Sequence, residues 1–196
     1  MPGSSFNGIQ IAPVVNVAKE TKGFQLALIN VADTSSGVSI GLINIIRHGY
    51  HKISFYANEL TNSNIGIKTG NAMFYTMLLA GTNVSNNQKI YTGGYGIGYD
   101  FILNKRILIS TESAGHAVFL GNWEYPGILS RGQVQAQYKL NKMLAVFAGP
   151  SYSIYKSNSQ TIIADGFKTS VAPGYARVYN ASTQGWLGWN VGITLF

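Results

Sequence analysis

Cysteine is absent from the 196 residues, which excludes a disulfide scaffold and any thiolate metal centre. It leaves open whether the setting is the cytosol, the periplasm or the outer membrane. Charge is scarce too: Asp, Glu, Lys and Arg make up 11% of the chain, against roughly 25% in an ordinary soluble domain. A soluble barrel must solvate its outward face, which it does largely with Lys and Glu, and this chain has too few of them. Long apolar runs are missing as well. The longest candidate, Ala72 to Ala80, is interrupted by Thr76 and falls far short of the ~20 residues of a membrane-spanning helix. The opening Met1-Pro2-Gly3-Ser4-Ser5 has neither the basic start nor the apolar core of a signal peptide. Residues 1–7 are therefore expected to be a disordered or vector-derived N-terminus.

What the chain does contain is alternation. From Gly127 to Leu140, Arg131, Gln133, Gln135, Gln137 and Lys139 alternate with Gly132, Val134, Ala136, Tyr138 and Leu140. A period of two specifies a strand with one wet and one apolar face. Related patterns recur along most of the chain, hydrophobic residues reach 46%, and the non-apolar positions are mostly Gly, Ser, Thr, Asn and Gln. Small polar residues suit a lumen, so the apolar face is expected to meet lipid.

Fourteen Lys and Arg against seven Asp and Glu give a formal charge of +7. The basic residues do not cluster as a nucleic-acid groove requires. They fall singly at turns (Lys19, Lys22, Arg47, Lys52, Lys89, Lys105, Arg106, Lys142) or late in the chain (Lys168, Arg177), where a barrel rim would set them against lipid phosphates.

Three N-terminal segments repeat, beginning at Gly8, Gly23 and Gly37, and place Asn16, Asn30 and Asn44 at intervals of 14. A strand of about nine residues plus a tight turn fills that interval. An alternative is a stacked solenoid with an asparagine ladder, because barrel duplications copy hairpins whereas this interval copies a single strand. The first copy carries an extra residue around Pro13, which points to a bulge or an edge position. Further strands are expected at about His51 to Leu60, Ile65 to Gly81, Ile90 to Leu103, Arg106 to Leu120, Gly127 to Leu140, Met143 to Lys156 and Trp186 to Phe196. The fold class expected is thus all-β, a transmembrane antiparallel up-and-down β-barrel of about ten strands, formed by residues 8–196 as one domain.

Leu103-Asn104-Lys105-Arg106 and Leu140-Asn141-Lys142-Met143 share a signature. Read as three-residue hairpin loops, they pair Leu103 with Ile107 and Leu140 with Leu144 and keep the faces in register. The opposite connections are longer, above all a loop at about 157–185, whose Lys168, Tyr175, Arg177 and Tyr179 are the best candidates for an exposed functional surface. Tyr91, Tyr95, Tyr99, Tyr138, Tyr152 and Trp189 are expected to face lipid or its boundary, with Trp123, Tyr125 and Trp186 near strand ends.

Ala27-Leu28-Ile29-Asn30, Gly41-Leu42-Ile43-Asn44, Gly49-Tyr50-His51-Lys52, Phe147-Ala148-Gly149-Pro150-Ser151-Tyr152 and Gly192-Ile193-Thr194-Leu195-Phe196 resemble a family of Gram-negative outer-membrane β-barrels with N-terminal Gly-Leu-Ile-Asn-type strand repeats. The resemblance runs from about Gly8 to Phe196 and implies a fold and an outer-membrane location, with no catalytic residues to carry over. One departure concerns the C-terminus. Leu187, Trp189, Val191, Ile193 and Leu195 share a face that excludes Phe196.

Candidate chemistry is sparse. Gly93-Gly94-Tyr95-Gly96-Ile97-Gly98 lacks the following helix that a phosphate loop needs, so these glycines read as close approach or bending in a barrel wall. Asp100, Glu112, His116, Arg131, Gln133, Gln135 and Lys139 are expected to form a lumenal polar cluster, with Lys68 a further member. Structural ion pairing is the expected role. An enzyme would instead use such groups as acid and base with Ser110 as nucleophile, but ~13 Å of strand separates Glu112 from His116. His48 and His51 lack a third ligand and read as an exposed turn. The function expected is a non-catalytic outer-membrane barrel, a structural or accessory component of a membrane assembly. A narrow channel and a lipid-modifying enzyme are the alternatives. Membrane lipid or lipopolysaccharide and other outer-membrane proteins are the expected partners, with no nucleic acid, cofactor or metal.

Overall fold

A computed structural model of the chain describes residues 5–47, 49–71, 73–84 and 88–196, and every regular element among them is a β-strand. The repeats come first, as β1 (Ser5–Phe6), β2 (Ile9–Ile11), β3 (Val15–Thr21), β4 (Phe24–Leu26), β5 (Ile29–Ser35), β6 (Val38–Ile40) and β7 (Ile43–Ile46). They are not barrel strands. The order β1-β3-β5-β7 makes one parallel sheet and β2-β4-β6 another, so each repeat is one rung of a flattened solenoid. Their pairing is parallel throughout, whereas the strands of the wall that follows pair antiparallel. In-register parallel stacking also sets the three asparagines over one another, which hairpin-linked strands could not do. Asn16 Nδ2 donates to Asn30 Oδ1 at 3.0 Å and Asn30 Nδ2 to Asn44 Oδ1 at 2.8 Å. The extra residue of the first copy lies in the Ala12–Val14 turn, since Ile9 pairs with Phe24 while Asn16 pairs with Asn30. Gly8, Gly23 and Gly37 form a column: a Cβ on Gly23 would strike the Gly8 carbonyl, and one on Gly37 the Gly23 carbonyl.

The interior of this solenoid is largely polar and its outer surface largely apolar. Its interior holds Asn16, Thr21, Gln25, Asn30, Ser39 and Asn44 among small Ala18, Ala27 and Ala32, while Ile9, Ile11, Val17, Leu28, Leu42 and Ile45 stand exposed. Asn30 is the keystone of the polar interior, donating also to the Ile40 carbonyl at 2.9 Å. Asn30→Ala takes an acceptor from the Asn16 amide and the donor from Asn44 Oδ1, at a cost of about 1–3 kcal/mol. The expected result is loss of amide-exchange protection across residues 9–46 with the barrel strands unchanged. Equal loss in both regions would show that the two do not open separately.

Eight antiparallel strands follow and close a barrel: β8 (Tyr50–Asn58), β9 (Ser63–Gly70), β10 (Phe74–Thr82), β11 (Tyr91–Ile102), β12 (Ile107–Phe119), β13 (Gly127–Lys139), β14 (Leu144–Lys156) and, after the short β15 (Arg177–Asn180), β16 (Thr183–Leu195). Closure comes from β16, which pairs with both β8 and β14 and leaves the wall without a free edge. The expected strand from Ile65 to Gly81 is two strands. The chain reverses at Asn71, whose Oδ1 accepts the Met73 and Phe74 amides at 2.9 and 2.7 Å. Ten strands thus become eight, three leaving the wall and one dividing. The last strand starts at Thr183, inside the region expected to be loop, and β15 pairs along the part of β16 that rises beyond β8.

The two Asn-Lys turns close as three-residue loops. Leu103 N donates to Ile107 O and Leu140 N to Leu144 O, and in each turn the asparagine Oδ1 accepts two amides ahead. Parity then holds around the wall. Ile53, Ile67, Ile97, Val134, Val146, Ile154 and Val191 point outward and exposed, while Ser54, Lys68, Asp100, Glu112, Gln135, Ser153 and Asn190 point inward and buried.

The last rung lies against the outside of this wall. Asn44 Nδ2 donates to Thr76 Oγ1 at 2.7 Å, the Asn44 amide to Thr69 Oγ1 at 3.2 Å, and Tyr95 Oη to the Gly41 carbonyl at 2.9 Å. Asn71 Nδ2 reaches the Gly37 carbonyl at the rim. Charged Lys19, Glu20, Lys22, Asp33 and Arg47 gather at the edge of the solenoid next to this rim, and the apolar turn with Leu42 lies higher, by Tyr95.

Candidate functional site in the barrel lumen

An eight-stranded barrel is just wide enough for side chains to fill. Here they do so with three ion pairs, whose six side chains are each no more than 7% exposed. Glu112, on β12, is the centre. Its Oε1 accepts from Lys68 Nζ and from Tyr75 Oη at 2.6 Å, and its Oε2 from Gln133 and Gln135 Nε2, both at 2.6 Å. One layer down, Asp100 takes Lys52 Nζ at 3.2 Å and the Ser110 hydroxyl at 2.5 Å, and Tyr75 Oη lies 3.2 Å from it, linking the two carboxylates. One layer up, Arg131 pairs with Glu59 and donates from Nε to Ser153 Oγ at 3.0 Å. Glu59 also accepts the Trp186 indole at 2.9 Å and the Trp189 amide at 3.0 Å.

Asp100, Glu112, Gln133 and Gln135 are therefore drawn into one network, Arg131 and Glu59 form a second cluster a layer above, and His116 lines the space beside Glu112 and Arg131. Lys139 is set apart. It lies at the turn end, its Nζ 5.0 Å from the centre of the Phe196 ring, with Lys52 Nζ at 4.2 Å from the same ring. The terminal aromatic thus turns over the mouth of the lumen between two ammonium groups, a cation–π arrangement that its parity allows and a lipid-facing role would not.

Lys52, expected at a turn against lipid phosphates, is instead buried on β8 and paired with Asp100, and sequence reasoning missed Tyr75 and Glu59. Lys52 shares parity with Ser54 on β8, a usable signal, whereas Tyr75 was hidden by the undivided strand and Glu59 by falling on the outward parity of Ile53 and Phe55 in an expected strand that in fact ends at Asn58. Trp186, expected at the lipid boundary, is buried in the lumen, on the parity of Asn190 and Thr194. Gly94 faces His116 and Gly98 faces Glu112 in the ladder, but at Gly98 the space freed is filled by the Tyr75 ring.

At the loop end the seal is apolar. Val171 and Ala172 of the long loop pack on Ile90, Val118, Leu129, Tyr155 and Trp186. The loop is held over the mouth by Ala164 N to Leu120 O at 3.0 Å, Lys168 N to Lys89 O at 3.0 Å and Thr161 Oγ1 to Tyr125 O at 2.7 Å. Burial lowers the Lys168 ammonium pKa against the opposing pull of Glu59. Lys168 is half-buried, while Tyr175, Arg177 and Tyr179 remain exposed, Tyr179 bonded to the Tyr152 hydroxyl. With Tyr91 stacked on Trp123 at 6.0 Å and Phe119 at 4.4 Å from that indole, these aromatics mark one rim. Tyr99, Phe101 and Tyr138 mark the other, and Tyr95 lies partly beneath the solenoid.

Inside, the space beside His116 measures about 20 Å³ and that between Lys68 and Gln135 about 10 Å³, each room for roughly one water. A ligand pocket is an order of magnitude larger. Ser110 is engaged by Asp100 and by Gln137 Nε2 at 2.6 Å, six strand residues or about 20 Å from His116, so the two do not form a nucleophile–base pair. Among the described residues no group of three or more His, Asp or Glu could hold a metal, and His48 lies outside them. The chain matches no protein-family model and no curated protein.

Proposed function

We propose that this chain is an integral outer-membrane β-barrel that neither conducts nor catalyses, and that it serves as a structural or accessory component of a membrane assembly. The observation that carries the reading is the inversion shared by barrel and solenoid: polar side chains are buried, and Ile, Val, Leu and aromatic side chains are outside. In water this arrangement exposes far more apolar surface than soluble monomers tolerate. Against acyl chains it has no such penalty. The β12, β13, β14 and β16 strands of 13 residues suit a tilted crossing, and the aromatic rims flank the apolar band as in bacterial outer-membrane barrels. Lys105, Arg106 and Lys142 at the short turns, and Lys89, Lys168 and Arg177 at the loop end, are placed to meet phospholipid and lipopolysaccharide phosphates. The likeness of the Gly-Leu-Ile-Asn repeats to outer-membrane barrels supports the same location.

The sealed lumen disfavours the channel. Planar bilayers holding the purified chain are expected to stay electrically silent at moderate voltage, and a steady conductance that changes on Glu112→Gln would overturn the non-conducting reading. For the membrane reading, the test is behaviour without amphiphile. Protein that stays monodisperse after detergent removal, with its tryptophan fluorescence unquenched by brominated lipid, would refute it.

A further inference from the structure

Among the described residues, the outermost rung of the solenoid is paired along its length on one side only. Within the described residues, β2 pairs with β4 alone, and β3 has a second partner only at Glu20 and Thr21, which β1 covers. The polar ladders inside run past this point. In the asparagine ladder the donors point toward the barrel, from Asn16 to Asn30 to Asn44 and finally to Thr76 Oγ1. At its outer end Asn16, 1% exposed, is left with a buried Oδ1 that has no hydrogen-bond partner among the described residues. The neighbouring ladder has the opposite sense: Ser39 Oγ donates to Gln25 Oε1 at 3.3 Å and Gln25 Nε2 to Gln10 Oε1 at 2.9 Å, so Gln10 ends it with an amide donor. Within the solenoid the apolar skin is most open here. Ile11 is 68% exposed, while Leu26, its counterpart on the next rung, is 39%.

We infer that this open rung is a docking edge for one more parallel β-rung of the same kind, supplied by a partner polypeptide with a carboxamide donor over Asn16 and an acceptor over Gln10. The inference rests on the accessory-component reading and names where the assembly is joined. Bare strand edges are not tolerated in hydrocarbon, so an edge sharing the apolar skin of the barrel needs a β-partner. A second copy of this chain fits less well. Facing its own open end, β3 would meet a strand running the other way, whereas every solenoid pairing is parallel and the glycine column depends on that register.

The probe is a labelled peptide with the sequence of Gly23 to Ser36, added to the full chain in mild detergent. Saturable binding is expected, at least tenfold weaker for the peptide with Leu in place of the Asn30 equivalent. A Val17→Cys chain should form a disulfide with a peptide carrying Cys at the Val31 equivalent, because parallel register sets these two side by side. In case the free peptide is too disordered to bind, the same 14 residues are fused ahead of Gly8. The fusion should slow amide exchange over Ile9–Ile11 and Val15–Lys19 at least tenfold relative to its Asn→Leu version. Equal behaviour of Asn and Leu versions in both formats overturns the inference. So does a disulfide-linked dimer of the Val17→Cys chain whose formation the peptide does not suppress. Peptide capture by protein that needs no amphiphile would sink the membrane reading and leave the docking edge standing.

Discussion

Glu112→Ala is expected to remove about 3–5 kcal/mol of folding stability, read as a drop in the urea midpoint of vesicle-reconstituted protein followed by tryptophan fluorescence. The size follows from what the carboxylate holds. Lys68, Tyr75, Gln133 and Gln135 all converge on it, and the Lys68 and Glu112 side chains are 3% and 2% exposed. Alanine leaves an ammonium group buried without its counter-charge, and three polar groups lose an acceptor. Removing both charges is a different experiment. The double variant Lys68→Met, Glu112→Leu eliminates the stranded ion and should recover most of the loss, so the double-mutant cycle reports strong coupling. The exposed Lys22–Glu20 pair, at 3.3 Å, serves as the contrast, since Lys22→Ala should stay within about 0.5 kcal/mol. A Glu112→Ala loss as small as that would mean that water reaches the lumen and the seals at its two ends are not tight.

The lumen was legible from sequence wherever a strict period of two ran unbroken. On β13, Arg131, Gln133 and Gln135 could be assigned inward from parity alone, and the Asn104 and Asn141 turns carried that parity into the next strands because an asparagine side chain caps each loop. Parity fails where a turn leaves no mark. The reversal at Asn71 sits beside the apolar run from Phe74 to Ala80, so two strands looked like one and Tyr75 went unplaced. In the second repeat Ala27 and Leu28 turn the chain without a proline or glycine, and in the first Pro13 read as a bulge, so a rung of two short strands passed for a single strand of nine. The interval of 14 fits either arrangement. What separates them is phase, because Asn16, Asn30 and Asn44 can hydrogen-bond in series only if all three strands run the same way. Glu59 had no signal at all, since its partners Arg131 and Trp186 lie far away along the chain.

Arginine placed on the outer skin distinguishes lipid from water most sharply. Val134 and Ile45 are equally exposed, at 47%, one on the barrel and one on the solenoid, so the two substitutions start from comparable exposure. If hydrocarbon covers Val134, Val134→Arg should cost about 2–4 kcal/mol in vesicles, because a guanidinium near the bilayer midplane is poorly solvated. Tyr138→Arg, at the turn-end rim, should cost about 0–1 kcal/mol, as headgroups and water are within reach. Ile163→Arg, on the long loop, should be nearly neutral. Ile45→Arg decides how far the membrane surface extends. A cost close to that of Val134→Arg means that acyl chains wrap the solenoid as well as the barrel, whereas a cost like that of Ile163→Arg means the solenoid stands clear of hydrocarbon. Near-neutral values at all four positions would return the apolar skin to water, and the outer-membrane reading would fall with it.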